Sequence, residues 1–229
     1  MDLSLKDKVA MVSRAGSQTG FGRGIALALG KVGCNVIVVD MDLEGAKKTA
    51  AELKILGRDV IALKADVTSS EEVNAMVKAG LAKFGKIDIL VNNIGRTRMS
   101  PLIETTEEDW NINIDSQLKG MWYCCKAVLP HMLERKNGRI ISLVSTPAVR
   151  GLPGASLYSA GNTAIIGMTK ALAPEVGFAG ISVNVVMVPG TDDVDSNSPE
   201  QQDIANVVVF LASEAGSDLT SQTMLTGAW

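Results

Sequence analysis

Apolar residues fall along this chain in two alternating rhythms. Short runs rich in Val and Ile, without a polar face, are separated by longer stretches with apolar positions near i, i+3 and i+4 spacing. The runs predict strands at Lys8–Ser13, Cys34–Asp40, Asp59–Ala65, Ile87–Asn92, Arg139–Ser145 and Ile181–Val188, with a short last one at Gln222–Leu225. The stretches between them predict helices at Gly22–Val32, Asp42–Leu56, Ser69–Phe84, Thr106–Arg135, Ser156–Phe178 and Pro199–Ala212. Gly33, Gly57 and Gly85 stop the first three. Thr105 and Glu108 have the spacing of a capping box, Pro130 should kink the long helix, and Asn137-Gly138 ends it. Strands apolar on both sides are buried on both faces. Their alternation with helices predicts an α/β chain: a doubly wound, Rossmann-like parallel sheet of about seven strands with helices on both faces. No linker or internal repeat divides it, so residues 1–229 are expected to form one domain.

Composition narrows the function classes. The 229 residues are 46% hydrophobic, enough for a sizeable core. A formal charge of −3 without a basic stripe argues against nucleic acid, and 4% aromatics leaves little to stack bases on. Three cysteines, Cys34, Cys124 and Cys125, make no disulfide framework, and the lone His131 cannot build a histidine metal site. No secretory leader or membrane span is legible at the start or in the uncharged stretch from Gly151 to Thr169, so a cytoplasmic location is expected.

The first strand runs into A-G-S-Q-T-G-F-G-R-G. Gly16, Gly20 and Gly22 allow backbone amides to approach a pyrophosphate at a helix N-terminus. Asp40, eighteen residues after Gly22, ends the second strand, where a carboxylate accepts from both hydroxyls of an adenine ribose and repels a 2′-phosphate, selecting NAD. Two registers of the loop remain open. Aligning by V-A-M-V puts Arg14 at the first-glycine position with two extra residues following. Aligning by glycine spacing uses Gly16 and lengthens the strand.

With A-D-V-T at Ala65–Thr68, N-N-I-G at Asn92–Gly95, G-R-I-I-S-L-V-S at Gly138–Ser145, Y-S-A-G-N at Tyr158–Asn162 and V-P-G at Val188–Gly190, nearly the whole chain resembles the short-chain dehydrogenase/reductase family. The resemblance implies Asp66 near the adenine, Asn92 near its ribose, and dimers or tetramers built through the two long helices and the C-terminal strand. It also implies four catalytic groups. Ser145 and Tyr158 match two of them. The lysine position holds Asn162, and the asparagine position holds Gln117.

The lysine loss can be weighed. A free tyrosine has a pKa of about 10, so roughly one in a thousand is ionised at pH 7. The missing shift of about 3 units is worth about 4 kcal/mol. A neutral amide supplies no such field. Lys170 lies about 18 Å along the helix, and Lys119 should face another way. Ile94 adds volume where the family has a small residue. After Gly190 only about ten polar residues precede the next helix, so the family's substrate lid is expected to be largely missing.

These departures point to a catalytically impaired or inactive subunit that assembles with an active NAD-dependent short-chain alcohol dehydrogenase and stabilises or regulates it. The class of hydroxy substrate would be acyl-CoA or aromatic-pathway. Ser145, Tyr158 and the cofactor-binding residues would then be vestigial, with NAD, if anything, as cofactor and no metal. The alternative is an active NAD-dependent oxidoreductase interconverting alcohol and ketone at a divergent Ser145–Tyr158 site.

Overall fold

The computed structural model describes residues 3–189 and 198–226. Strands β1 (Val9–Ser13), β2 (Asn35–Asp40), β3 (Val60–Lys64), β4 (Ile89–Asn92), β5 (Gly138–Ser145), β6 (Ile181–Val188) and β7 (Thr223–Leu225) form one sheet. Its order is β3-β2-β1-β4-β5-β6-β7, and every neighbouring pair is parallel. The expectation of a doubly wound, seven-stranded Rossmann-like sheet holds.

Alternate residues of each strand enter opposite cores. Ala10, Val12, Val36 and Val38 join α1 (Phe21–Lys31), α2 (Leu43–Ile55) and α8 (Pro199–Ala212) on one face. Met11, Ile37, Leu90 and Ile140 join α3 (Ser70–Phe84), α5 (Gly120–Arg135) and α7 (Ser156–Val176) on the other. The chain steps from β1 outward to β3, then returns to place β4 on the opposite side of β1. Strand ends diverge at that reversal, which opens a crevice beyond their carboxyl termini.

The long helix differs from the sequence expectation. The capping box is one residue later than Thr105/Glu108. Thr106 Oγ1 accepts from Asp109 N, and the Asp109 carboxylate accepts from Thr106 N at 2.8 Å. Thr105 instead donates its hydroxyl to Leu102 O, closing a preceding 3-10 turn. From α4 (Glu107–Trp110) the chain passes through a nine-residue π-helix, Asn111–Lys119, into α5, which runs through Pro130. A π-turn leaves no mark on apolar periodicity, and such turns recur at functional sites. A short helix, α6 (Thr146–Arg150), follows β5 unexpectedly, with Ser145 as its N-cap. The ten-residue stretch read as a missing lid is mostly residues 190–197, which lie outside the described residues, as does the terminal Trp229. Among the described residues no helix is long and apolar enough to cross a membrane.

At the amino-terminal edge of the sheet, buried Asp88 accepts from Val9 N at 2.9 Å and from Arg135 at 2.8 Å, with Lys86 at 3.3 Å. Burial alone would raise its pKa. The Val9 amide and the two cations outweigh that and hold it below the usual carboxylate value. Asp88→Asn should lower stability by about 1–3 kcal/mol near neutral pH in urea melts. The carboxylate contributes fully above the ordinary value of about 3.9, and its contribution fades as pH falls through the lower folded-state value. The gap between wild type and variant should therefore close in acid.

Candidate functional site

The crevice is lined by the carboxyl ends of β1, β2, β4, β5 and β6 and by the π-helix, and it falls into two lobes. The wide lobe, about 420 Å³, lies over β3, β2, β1 and β4 and includes Asp40, Asp66, Val67 and Arg96. The narrow lobe, about 130 Å³, includes Gln117, Ser145, Tyr158 and Asn162. Arg14, Asn93, Ile94 and Gly95 line both, so the two lobes adjoin there.

In the narrow lobe the residue at the family's lysine position is buried within an amide network. Asn162 Oδ1 accepts from Ser145 N at 2.7 Å, while Asn162 Nδ2 donates to Gln117 Oε1 at 2.7 Å and to Tyr158 O at 2.8 Å. Gln117 Nε2 in turn donates to Arg96 O at 3.4 Å. Asn162 and Gln117, the two departures noted in the sequence, are therefore partners. Each is nearly fully buried, at 3% and 2% exposure. The π-helix turns Gln117 and Asn113 inward together. Asn113 Nδ2 donates to Arg98 O and Asp109 O, and its Oδ1 accepts from Arg98 N. Close approach of α7 needs Gly161, since a Cβ there would sit 2.5 Å from Asn113 O.

Lys119 does not replace the missing lysine. Lys119 pairs with Asp115 at 3.3 Å and lies over the Tyr123 ring. Ser145 Oγ accepts weakly from Ala148 N at 3.4 Å as the cap of α6. The cysteines are packing residues. Burial pushes the Cys34 and Cys125 thiols up to about 12 and Cys124 higher still, so none supplies a thiolate. Among the described residues no group of His, Cys, Asp or Glu could hold a metal.

The structure resolves the glycine-loop register. β1 ends at Ser13, and Arg14 takes φ 49°, a left-handed conformation that favours glycine. Ala15 N then donates to Val39 O at 3.1 Å, carrying the chain towards β2. Arg14 thus holds the first-glycine position and two extra residues follow. Gly22 meets the strand exit, since a Cβ there would lie 2.2 Å from Arg14 O. Gly20, with φ 90°, is the N-cap of α1. Gly16 lies against Asp40 instead of at the strand exit. Its N–H donates to Asp40 Oδ2 at 2.8 Å, and Asp42 N donates to Oδ1 at 3.0 Å. Neither Gly16, Gly20 nor Gly22 lines either lobe.

Of the other expected cofactor residues, Asp66 lines the wide lobe and accepts from both the amide and hydroxyl of Thr68. Asn92 does not line the cleft. Its Nδ2 donates to Ser142 Oγ and Cys125 Sγ inside the core. The next residue, Asn93, lines both lobes and donates to Arg14 O at 3.2 Å. The strand's two-residue period was the overlooked signal, since Asn92 is the last β4 residue and faces a packed side. Arg96 also went unremarked, because an exposed arginine after a strand carries no pattern.

The short chain dehydrogenase family model matches residues 8–205. The chain belongs to that family. It is 35% identical to (2S)-[(R)-hydroxy(phenyl)methyl]succinyl-CoA dehydrogenase subunit BbsD of Thauera aromatica, covering 97% of this chain and 96% of that one. It is 38% identical to the 3-oxoacyl-(acyl-carrier-protein) reductase FabG of Staphylococcus aureus strain Mu50, covering 95% of each. A hydroxysteroid dehydrogenase from Escherichia coli superposes with a TM-score of 0.89 at 27% identity, over 99% of this chain and 97% of that chain. Short-chain dehydrogenases generally bind NAD or NADP and commonly form dimers or tetramers. In this member the wide lobe fits an adenosine group. The lone pairs of Asp40 not taken by Gly16 and Asp42 can accept from a ribose. The narrow lobe brings Ser145 and Tyr158 beside Asn162 and Gln117.

Replacing Gln117 by Leu would remove the Asn162 partner while keeping an apolar fill. Gln117→Leu should cost about 1–3 kcal/mol in chemical denaturation, the penalty of a buried amide left short of a hydrogen bond.

Proposed function

We propose that this short-chain dehydrogenase chain is catalytically silent and works in the cytoplasm as a subunit beside an active NAD-dependent short-chain alcohol dehydrogenase, which it stabilises or regulates. One observation carries this reading: the Asn162 amide bonded to Ser145 N and Gln117 where a lysine ammonium would face the phenol of Tyr158. An amide in that place holds the scaffold together and carries no charge to present to the phenol.

The assembly half of the reading draws on exposed apolar side chains. Trp122 on α5 is 46% exposed and stacks on Tyr123, and Phe178 after α7 is 85% exposed. Large aromatics left in water on helix surfaces are the usual anchors of protein contacts. The similarity to a protein named as a dehydrogenase subunit favours the same reading, and the substrate in that name makes a hydroxyacyl-CoA with an aromatic group the substrate class of the partner. A second reading, an active NAD-dependent oxidoreductase with a divergent site, is favoured by Ser145 and Tyr158 lining one lobe.

Alcohol oxidation and ketone reduction by the purified chain, assayed with NAD(H) and 3-hydroxyacyl-CoA or 3-oxoacyl-CoA substrates, should stay at background. Asn162→Lys alone should not restore it, because Gln117, Arg14 and Ile94 remain. Turnover by the wild-type chain that disappears in Tyr158→Phe would establish the second reading instead. When the chain is co-expressed with an intact short-chain dehydrogenase from the same organism that acts on such a substrate, the two should co-elute. Trp122→Glu should weaken that complex by about 30-fold or more, as loss of an aromatic anchor does, without changing the circular dichroism.

A further inference from the structure

Two aromatic rings and two lysines stand together where the π-helix runs into α5. The Trp122 and Tyr123 rings stack with centroids 4.8 Å apart. The Lys126 ammonium lies over the Trp122 ring at 5.3 Å, and the Lys119 ammonium over the Tyr123 ring at 6.0 Å. Trp122 and Lys126 are both exposed. Lys119, Trp122, Lys126, Pro130 and Leu133 follow one another at intervals of three or four, so they share one stripe of the helix surface. An ammonium over a ring face is held in place beside the apolar knob instead of sweeping through solvent.

The charges of this stripe do not close within the chain. Lys119 has Asp115 at 3.3 Å. Among the described residues no carboxylate pairs with Lys126. The next acidic position along α5 is Glu134, roughly 12 Å further on. A second copy of the chain cannot supply the missing carboxylate either. A two-fold contact between antiparallel α5 helices matches residues symmetrically about its axis. With the axis at Trp122, Lys126 of one copy falls beside Lys119 of the other. With the axis at Lys126, two like ammonium groups meet, and a parallel pairing does the same. With the axis midway, each Trp122 ring receives a second ammonium. Only an axis at Pro130 sets Lys126 against Glu134, and Trp122 then lies opposite Gly138, past the end of α5 and already in β5. Like charges brought together in a contact cost affinity and suppress that pairing.

We propose that this face of α5 docks a different chain, whose surface offers an apolar recess for Trp122 and a carboxylate for Lys126, and that the lysine selects against a second copy of this chain there. The inference rests on the subunit reading above, in which the partner is the active short-chain dehydrogenase. As the ring is desolvated, the carboxylate accepts from the Lys126 ammonium in a medium of lower dielectric, where the pair is stronger than in water. The aromatic supplies affinity, and the charge supplies the choice of partner.

Titration of the intact chain against that purified dehydrogenase, with sedimentation velocity of each alone, tests the inference. Lys126→Glu should weaken the mixed complex by about tenfold or more. Lys126→Gln, which removes the charge without reversing it, should weaken it by about threefold. Raising salt from about 50 mM to about 500 mM should weaken the wild-type complex by about tenfold and the Lys126→Gln complex much less. Any self-association of the chain alone should be unchanged in Trp122→Glu. A mixed complex that Trp122→Glu disrupts but Lys126→Glu does not overturns this inference and leaves the subunit reading standing. Self-association as tight as the mixed complex and lost in Trp122→Glu also overturns it, with a second copy as the occupant. Absence of any mixed complex overturns both.

Discussion

The narrow end of the cleft is organised by one pairing of neutral amides, Asn162 with Gln117, closed onto Ser145 N and Tyr158 O. Both side chains are buried. A buried amide is costly unless its donors and acceptors are met. Here each group that points into the protein finds a partner, and the pairing joins α7, β5 and the π-helix. It performs structurally what a lysine would perform chemically elsewhere in this family. A cation at the same place would find Gln117 Oε1 and Tyr158 O as acceptors, but also Ser145 N–H, a donor that a lysine cannot satisfy.

That pairing explains why departures scattered along the chain act together. Gln117 needs the wide turns of the π-helix to face inward beside Asn113. Asn113 then clamps the backbone of Arg98, and Gln117 reaches the carbonyl of Arg96. The segment that follows β4 is thereby held against the crevice, with Ile94 and Gly95 where the lobes adjoin. Arg14 lines the same stretch, in a left-handed conformation that a non-glycine residue adopts at some cost. Residues about eighty to one hundred and fifty positions apart in the chain thus line one stretch of the cleft.

The two ends of the cleft carry different groups. Over β2 and β3, the carboxylates of Asp40 and Asp66 and a spacious lobe persist. Over β5, the serine and tyrosine persist beside the Asn162–Gln117 amide pair. The sheet beneath is intact on both faces, with Asp88 tied to Arg135 and Lys86 at its far edge.

The fold was legible in the residues themselves. Val- and Ile-rich runs without a polar face can be satisfied only inside a parallel sheet covered on both sides, and their order with the helices leaves few topologies. The substitutions at Asn162, Gln117, Arg14 and Ile94 were legible too, because each stands inside a recognisable motif. What the chain alone did not disclose was that these four meet. The Asn162–Gln117 bond, the π-helix that permits it, the register of the glycine loop and the turning of Asn92 into the core all depend on contacts between distant segments. Local propensity carries no information about such contacts. Sequence spacing determined which side chains were available, and only the packing of helices across the sheet decided which of them share a cavity.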